Sequence, residues 1–130
     1  MFIDTSAIVA IVVGESDASS LSDAIAAARN RYTSPVVRLE ATIVLATRLN
    51  VAPSQAQTLF DAFREEAAVV EVSLDAAMGA RAVACFETYG KGRHPAQLNL
   101  ADCLSYACAK ALGAPLLYKG EDFAKTDVNA

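Results

Sequence analysis

The stretch MFIDTSAIVAIVV, Met1–Val13, joins a three-residue apolar run to a seven-residue one through Asp4, Thr5 and Ser6. The first run has the length of a short buried strand and the second reads as the start of a helix. Asp4 stands at the junction and has two readings. It is the N-cap that satisfies the orphan N–H groups of the coming helix, or it is a carboxylate held at the mouth of a sheet. Three consecutive cap-competent side chains stand where one suffices, which points to a second task for one of them. With Glu40, Asp102 and Asp122 placed to meet Asp4, capping is expected to fall to Thr5 or Ser6.

Outward from this junction the same alternation repeats. Short strand-like stretches lie at "MFI", "RYTS" (31–34), "AVVEV" (68–72) and "PLLY" (115–118). Longer stretches with helical period separate them. Residues 16–30 place Ala18, Leu21, Ile25 and Ala28 on one face. Residues 53–66 start at a proline and repeat Ala56, Leu59, Phe60 and Phe63. Residues 73–90 carry a Ser73 cap, an apolar set of Leu74, Ala77, Met78, Val83 and Phe86, and a stop at Gly90. Strands alternating with helices predict βαβ units and a small, mostly parallel sheet covered on both faces, an α/β fold. In such folds ligands sit beyond the carboxyl ends of the strands. That rule singles out Asp4 after "MFI" and the "KGED" group after "PLLY".

The chain has 130 residues, of which 54% are hydrophobic and 20% charged. This is the profile of a single well-filled domain spanning 1–130, without repeat, linker or low-complexity tract. No apolar run reaches the roughly 18 residues that a membrane span needs. The N-terminus has no basic segment or cleavage site of a secretory signal, so a cytoplasmic location with no membrane partner is expected. Cys85, Cys103 and Cys108 are odd in number, form no C-x-x-C, and read as small core hydrophobes in a reducing compartment. A net charge of −4 argues against gripping nucleic acid by bulk electrostatics. It does not exclude a nuclease, since bound divalent cations invert the potential of a carboxylate cluster.

Three further acids stand out. Glu40, in SPVVRLEATIVLATRLN (34–50), shares its helical face with Val36, Val37, Ile43, Val44, Thr47 and Val51. A carboxylate at the centre of an apolar face must be paired, protonated or bound to a metal, and Arg48 or a residue from another helix could pair with it. Asp102 lies in the first turn of a helix whose core stripe is Leu100, Cys103, Leu104, Ala107, Cys108 and Ala111, with Gly113 as its stop. There it forms a capping-box pair with Asn99 or presents a carboxylate and an amide to a cleft. Asp122, beside Glu121, is a turn residue or a fourth member of the set. A parallel sheet can bring all four to one edge. Ionised carboxylates at short range repel, and hard divalent cations with oxygen preference, Mg²⁺ or Mn²⁺, relieve that repulsion. His94 is the only histidine, so neither a zinc site nor a histidine-based triad is expected. It stands in the loop GKGRHPAQ (90–97), read as solvent-exposed.

These segments together resemble the PIN-domain family, with the nearest likeness to the VapC-type toxins of toxin–antitoxin pairs. The likeness is carried by MFIDTSAIVAI, by Glu40 in VVRLEATIVL, and by QLNLADCLSYACAKALGAPLLYKGEDFAKTDV (97–128). The resemblance implies a three-layer α/β/α fold with a sheet of about four or five strands. It implies a Mg²⁺- or Mn²⁺-dependent endoribonuclease whose acidic site is Asp4, Glu40, Asp102 and Asp122, with Asp4 and Asp102 on the main metal. Ser6 and Asn99 match supporting polar positions. Relatives often carry an acid where Gly120 stands here, so Asp122 acts alone or with Glu121. A structured RNA substrate such as tRNA, a homodimer and a cognate antitoxin are also implied. Lys91, Arg93 and His94 are candidate phosphate contacts in a loop that otherwise reads as merely solvated.

Two other readings compete. A receiver-type signalling domain also gathers acids around Mg²⁺ and carries a lysine after its last strand, as Lys119 does here, but it needs paired acids after the first strand. A catalytically dead PIN fold would serve protein contacts alone.

Overall fold

The computed structural model describes residues 1–130. Its elements run β1 (Phe2–Ile3), α1 (Thr5–Val13), α2 (Ala18–Ala27), β2 (Tyr32–Thr33), α3 (Pro35–Leu49), α4 (Pro53–Glu66), β3 (Val70–Glu71), α5 (Ala76–Tyr89), α6 (Leu100–Leu112), β4 (Leu116–Leu117) and a 3₁₀ turn at Phe123–Lys125. All four strands fall inside the stretches expected to form them, and α4 has the predicted limits. The strands pair in parallel in the order β3-β2-β1-β4, and helices flank the sheet as three α/β/α layers. No helix is long and apolar enough to cross a membrane.

Each strand is only two residues long, yet the sheet is well anchored. β1 lies inside it, with Phe2 and Ile3 fully buried. Hydrogen bonds continue just past the strand ends, from Phe2 N–H to the Pro115 carbonyl at 2.8 Å and from Asp4 N–H to the Leu117 carbonyl at 3.0 Å. The second of these fixes the backbone of Asp4 at the carboxyl edge of the sheet. On the far side of β4, the Asn129 side chain accepts from Leu116 N–H at 2.8 Å and donates to the Leu116 carbonyl at 2.9 Å. One amide thus satisfies both outward groups of that residue.

The helices begin and end as their sequences dictate. Ser34 caps α3 by accepting from Val37 N–H, with Pro35 in the first turn. Gly14 and Gly113 close α1 and α6 in the left-handed region, where a glycine carries no Cβ penalty. α5 differs from expectation: Asp75 is its cap, accepting from Met78 N–H at 2.9 Å, and Ser73 lies outside it.

The inward faces of α5 and α6 also differ. α5 buries Ala82 and Cys85, while Val83 is 71% and Phe86 43% exposed. α6 buries Cys103, Ala107 and Cys108 as expected, together with Ser105 and Ala109, but Leu100 is 75% exposed. The small residues face inward because α5 and α6 pack closely against each other, which leaves no room for the larger ones. All three cysteines are free and buried.

Arg38 ties three elements together. From α3 it donates to both carboxylate oxygens of Glu71 in β3, at 2.9 and 2.7 Å. It also pairs with Asp61 of α4 at 2.9 Å and lies over the Phe60 ring, 4.9 Å from its centre. A bidentate, partly buried arginine in such a network is worth more than an exposed pair. Arg38→Ala is expected to lower unfolding stability by about 2 kcal/mol, read by denaturant titration of the circular dichroism signal.

Candidate active site

Asp4 is the N-cap of α1. Its Oδ2 accepts from Ser6 N–H at 3.1 Å and from the Ser6 hydroxyl at 2.8 Å. Capping was expected to pass to Thr5 or Ser6, but Thr5 is the first helical residue and Ser6 is the donor. The Ser6 hydroxyl in turn accepts from Lys119 N–H at 2.9 Å, which links the loop after β4 to Asp4. The other oxygen, Oδ1, is buried and has no hydrogen-bond partner. A buried carboxylate oxygen left bare in this way costs free energy unless a cation or water meets it.

Asp102 and Asn99 form the reciprocal box that the sequence offered as one reading. Asn99 Oδ1 accepts from Asp102 N–H at 2.8 Å, and Asp102 Oδ2 accepts from Asn99 N–H at 3.0 Å. Both Asp4 and Asp102 therefore use one oxygen to hold a helix N-terminus, where the helix dipole favours negative charge.

Asp4, Glu40 and Asp102 line one cleft of about 480 Å³, together with Thr5, Ser6, Val44, Arg48, Lys119 and Glu15. Burial raises the Asp102 pKa to about 6; the Asn99 bond offsets part of this, and the charges of Asp4, Glu40 and Asp122 add to it. Glu40 is raised as well, first by burial, with the nearby charge of Asp4 as a smaller cause. The Thr5 hydroxyl stands near enough to Glu40 to ease its charge, yet its oxygen makes no well-formed hydrogen bond.

Glu40 does not occupy the centre of a buried face. The core stripe of α3 is Val37, Ala41, Thr42 and Leu45, and Ile43 is exposed. Glu40 lies half-buried at the edge of that stripe, as a residue facing a solvent cleft must. Nor is Arg48 its partner, since eight residues of helix separate the two by about 12 Å. Arg48 pairs instead with Glu15 at 2.5 Å.

Asp122 lies outside this cleft. It is exposed and lines an adjoining depression of about 400 Å³ with Lys91, Gln97, Asn99, Lys125 and Asp102, so Asp102 stands on the ridge between the two. Glu121 lines neither. Gly120, where the sequence offers no acid, takes φ +104°, a backbone conformation that a side chain would strain. In the loop before α6, Lys91 faces the depression and Arg93 donates to the Glu87 carbonyl at 3.2 Å. His94 is half-buried rather than exposed. Its Nδ1 accepts from Ala96 N–H at 3.0 Å and its ring meets the edge of Tyr89.

No three acid, cysteine or histidine side chains converge tightly enough to cage a cation unaided. The donor set still fits a hard divalent ion. It consists of oxygens only, it includes a buried free carboxylate oxygen on Asp4, and the charges of neighbouring acids add to the raised pKa of Asp102 and Glu40. Mg²⁺ is commonly held by one or two carboxylates and several waters, not by an all-protein cage.

The PIN domain family profile matches residues 1–129. The chain belongs to the PIN domain family. Its place there is among the VapC ribonucleases. It is 44% identical over 130 residues to Ribonuclease VapC of Mycolicibacterium smegmatis, covering 100% of this chain and 98% of that one. It is 42% identical over 128 residues to Ribonuclease VapC30 of Mycobacterium tuberculosis, covering 98% and 95%. A VapC ribonuclease of Rhizobium meliloti is 39% identical over 140 residues, covering 98% of each. The fold is shared with the crystal structure of Mycobacterium tuberculosis VapC20, described as a sarcin-ricin loop cleaving toxin, at TM-score 0.73 and 21% identity over 95% of this chain and 92% of that one. The receiver-type reading is set aside by this membership.

The raised pKa of Asp102 fixes a sign for stability. The native state holds this proton more tightly than the unfolded chain, so Asp102 destabilises the metal-free protein progressively as pH rises from about 4 to 6. Asp102→Asn keeps an acceptor for Asn99 N–H and removes the charge. In EDTA at pH 7 it is expected to melt a few degrees higher than wild type, with the gain fading below pH 4; thermal melts across pH measure it.

Proposed function

We propose that this chain is a Mg²⁺- or Mn²⁺-dependent endoribonuclease, the toxin of a toxin–antitoxin pair, acting in the cytoplasm with residues 1–130 as one domain. The observation that carries the reading is the cleft in which Asp4 keeps a buried, unpartnered oxygen beside Glu40 and Asp102. The VapC ribonucleases among its relatives support the same activity.

Asp4 and Asp102 are the residues that would hold the ion, with Glu40 and Asp122 reaching it through water. A divalent cation bound there would lower the pKa of a water and offset the charge of the phosphodiester. Ser6 orients Asp4 and Asn99 orients Asp102, so both ligands are set before substrate arrives. Glu40, with its raised pKa, is suited to accept a proton from the attacking water. In-line attack then leaves a 5′-phosphate and a 3′-hydroxyl. Lys91, beside Asp102 and Asp122, is the best placed of the three loop residues expected to contact RNA.

Structured RNA, with tRNA foremost, is the substrate class in this reading. A homodimer and an antitoxin each need exposed apolar surface, and Val83, Phe86 and Leu100 supply a patch of it.

Asp4→Asn and Asp102→Asn are each expected to reduce Mg²⁺-dependent cleavage of a tRNA pool by at least about 100-fold while the circular dichroism spectrum is unchanged. Undiminished cleavage in both would sink the assignment. Expression of wild type in bacteria is expected to arrest growth, and the neighbouring open reading frame should restore it. Harmless expression would count against a toxin.

A further inference from the structure

Two cations, Arg48 and Lys119, line the same cleft as Asp4, Glu40 and Asp102. Neither pairs with those acids. Both converge on Glu15, each taking a different carboxylate oxygen: Arg48 Nη1 donates to Oε1 at 2.5 Å and Lys119 Nζ to Oε2. Lys119 Nζ also reaches Asp17 at 3.2 Å. The Glu15 side chain is only 20% exposed, whereas those of Arg48 and Lys119 are 44% and 40% exposed. The carboxylate is thus clasped, and the cations remain open to solvent.

We propose that Arg48 and Lys119 form a phosphodiester subsite at the lip of the acid cleft, which Glu15 fills in the free protein as an internal substitute for a substrate phosphate. The inference rests on the nuclease reading and extends it to how the RNA backbone is held.

The geometry supports the exchange. A carboxylate offers two oxygens sharing one negative charge, and so do the non-bridging oxygens of a phosphodiester. Arginine's planar fork and lysine's point charge are both common phosphate binders. A phosphodiester carries the same single negative charge as the carboxylate it would replace between the two cations. Ion pairs this exposed contribute little to stability, so the carboxylate can yield. The position is also fixed relative to the chemistry, because Lys119 N–H bonds the Ser6 hydroxyl that orients Asp4. A phosphate seated here would therefore lie in register with the acids. Glu15 also keeps the lip from attracting unrelated anions before RNA arrives.

The test is RNA binding without cleavage. Fluorescence anisotropy with a labelled stem-loop RNA in EDTA is expected to show Glu15→Gln binding about three- to tenfold tighter than wild type, with a steeper salt dependence. Arg48→Ala and Lys119→Ala should each weaken binding by a similar factor, and Glu15→Gln should bring no gain once both cations are alanine. Glu65→Gln, which removes an exposed charge elsewhere, should change binding less than about twofold. Thermal melts confirm that each variant is folded. Weaker or unchanged binding by Glu15→Gln, or a gain that persists without Arg48 and Lys119, would overturn the proposal. So would tightening toward polyglutamate but not RNA, which would give the pair to an acidic protein segment. Wild-type cleavage with Mg²⁺ is scored separately. Its absence removes the nuclease reading, whereas cleavage accompanied by unaltered binding in all three variants removes this subsite alone.

Discussion

Carboxylates brought to one sheet edge repel one another, and the fold around the cleft is organised to withstand that repulsion. Asp4 and Asp102 resist it in the same way: each spends one oxygen on the N–H groups of a helix terminus, where the helix dipole favours negative charge. The backbone of Asp4 is further pinned to β4 through the Leu117 carbonyl. Glu40 has no such anchor. It is held by α3 itself, whose core stripe is buried alongside, and its pKa is raised first by burial and less by the charge of Asp4. Capping and ligation are therefore not alternatives for Asp4. Its geometry assigns one oxygen to the helix and leaves the other facing a place where a cation would be welcome.

Much of this was legible in the residues alone. The strands announced themselves as short apolar runs, and α4 as an amphipathic stretch with a proline at its start. The acids after strands could be singled out because parallel sheets place ligands there. What stayed hidden depended on packing between elements. A helical wheel cannot say which of two apolar faces turns inward, and on α5 the choice fell on Ala82 and Cys85 over Val83 and Phe86 because α6 lies close. For Glu40 the same ambiguity placed it at the centre of a face when it lies at the edge. The loop histidine was misjudged for another reason: a ring packed on Tyr89 leaves no trace in local sequence.

The basic residues of the cleft show a third kind of limit. Glu40, Val44 and Arg48 follow one another at four-residue spacing, so their shared face was present in the sequence. Glu15 and Lys119 carried no such signal. They stand 104 residues apart and meet only because β1 and β4 are neighbours. Sheet topology, not local pattern, makes the lip.

The Asn129 amide has a consequence for how this protein meets others. By occupying both outward groups of Leu116, it leaves the sheet with a single open border, at β3. Strand addition that propagates needs a free border on either side of every subunit. A molecule with one closed border can join only one neighbour by this route. Growth by this route stops at a pair.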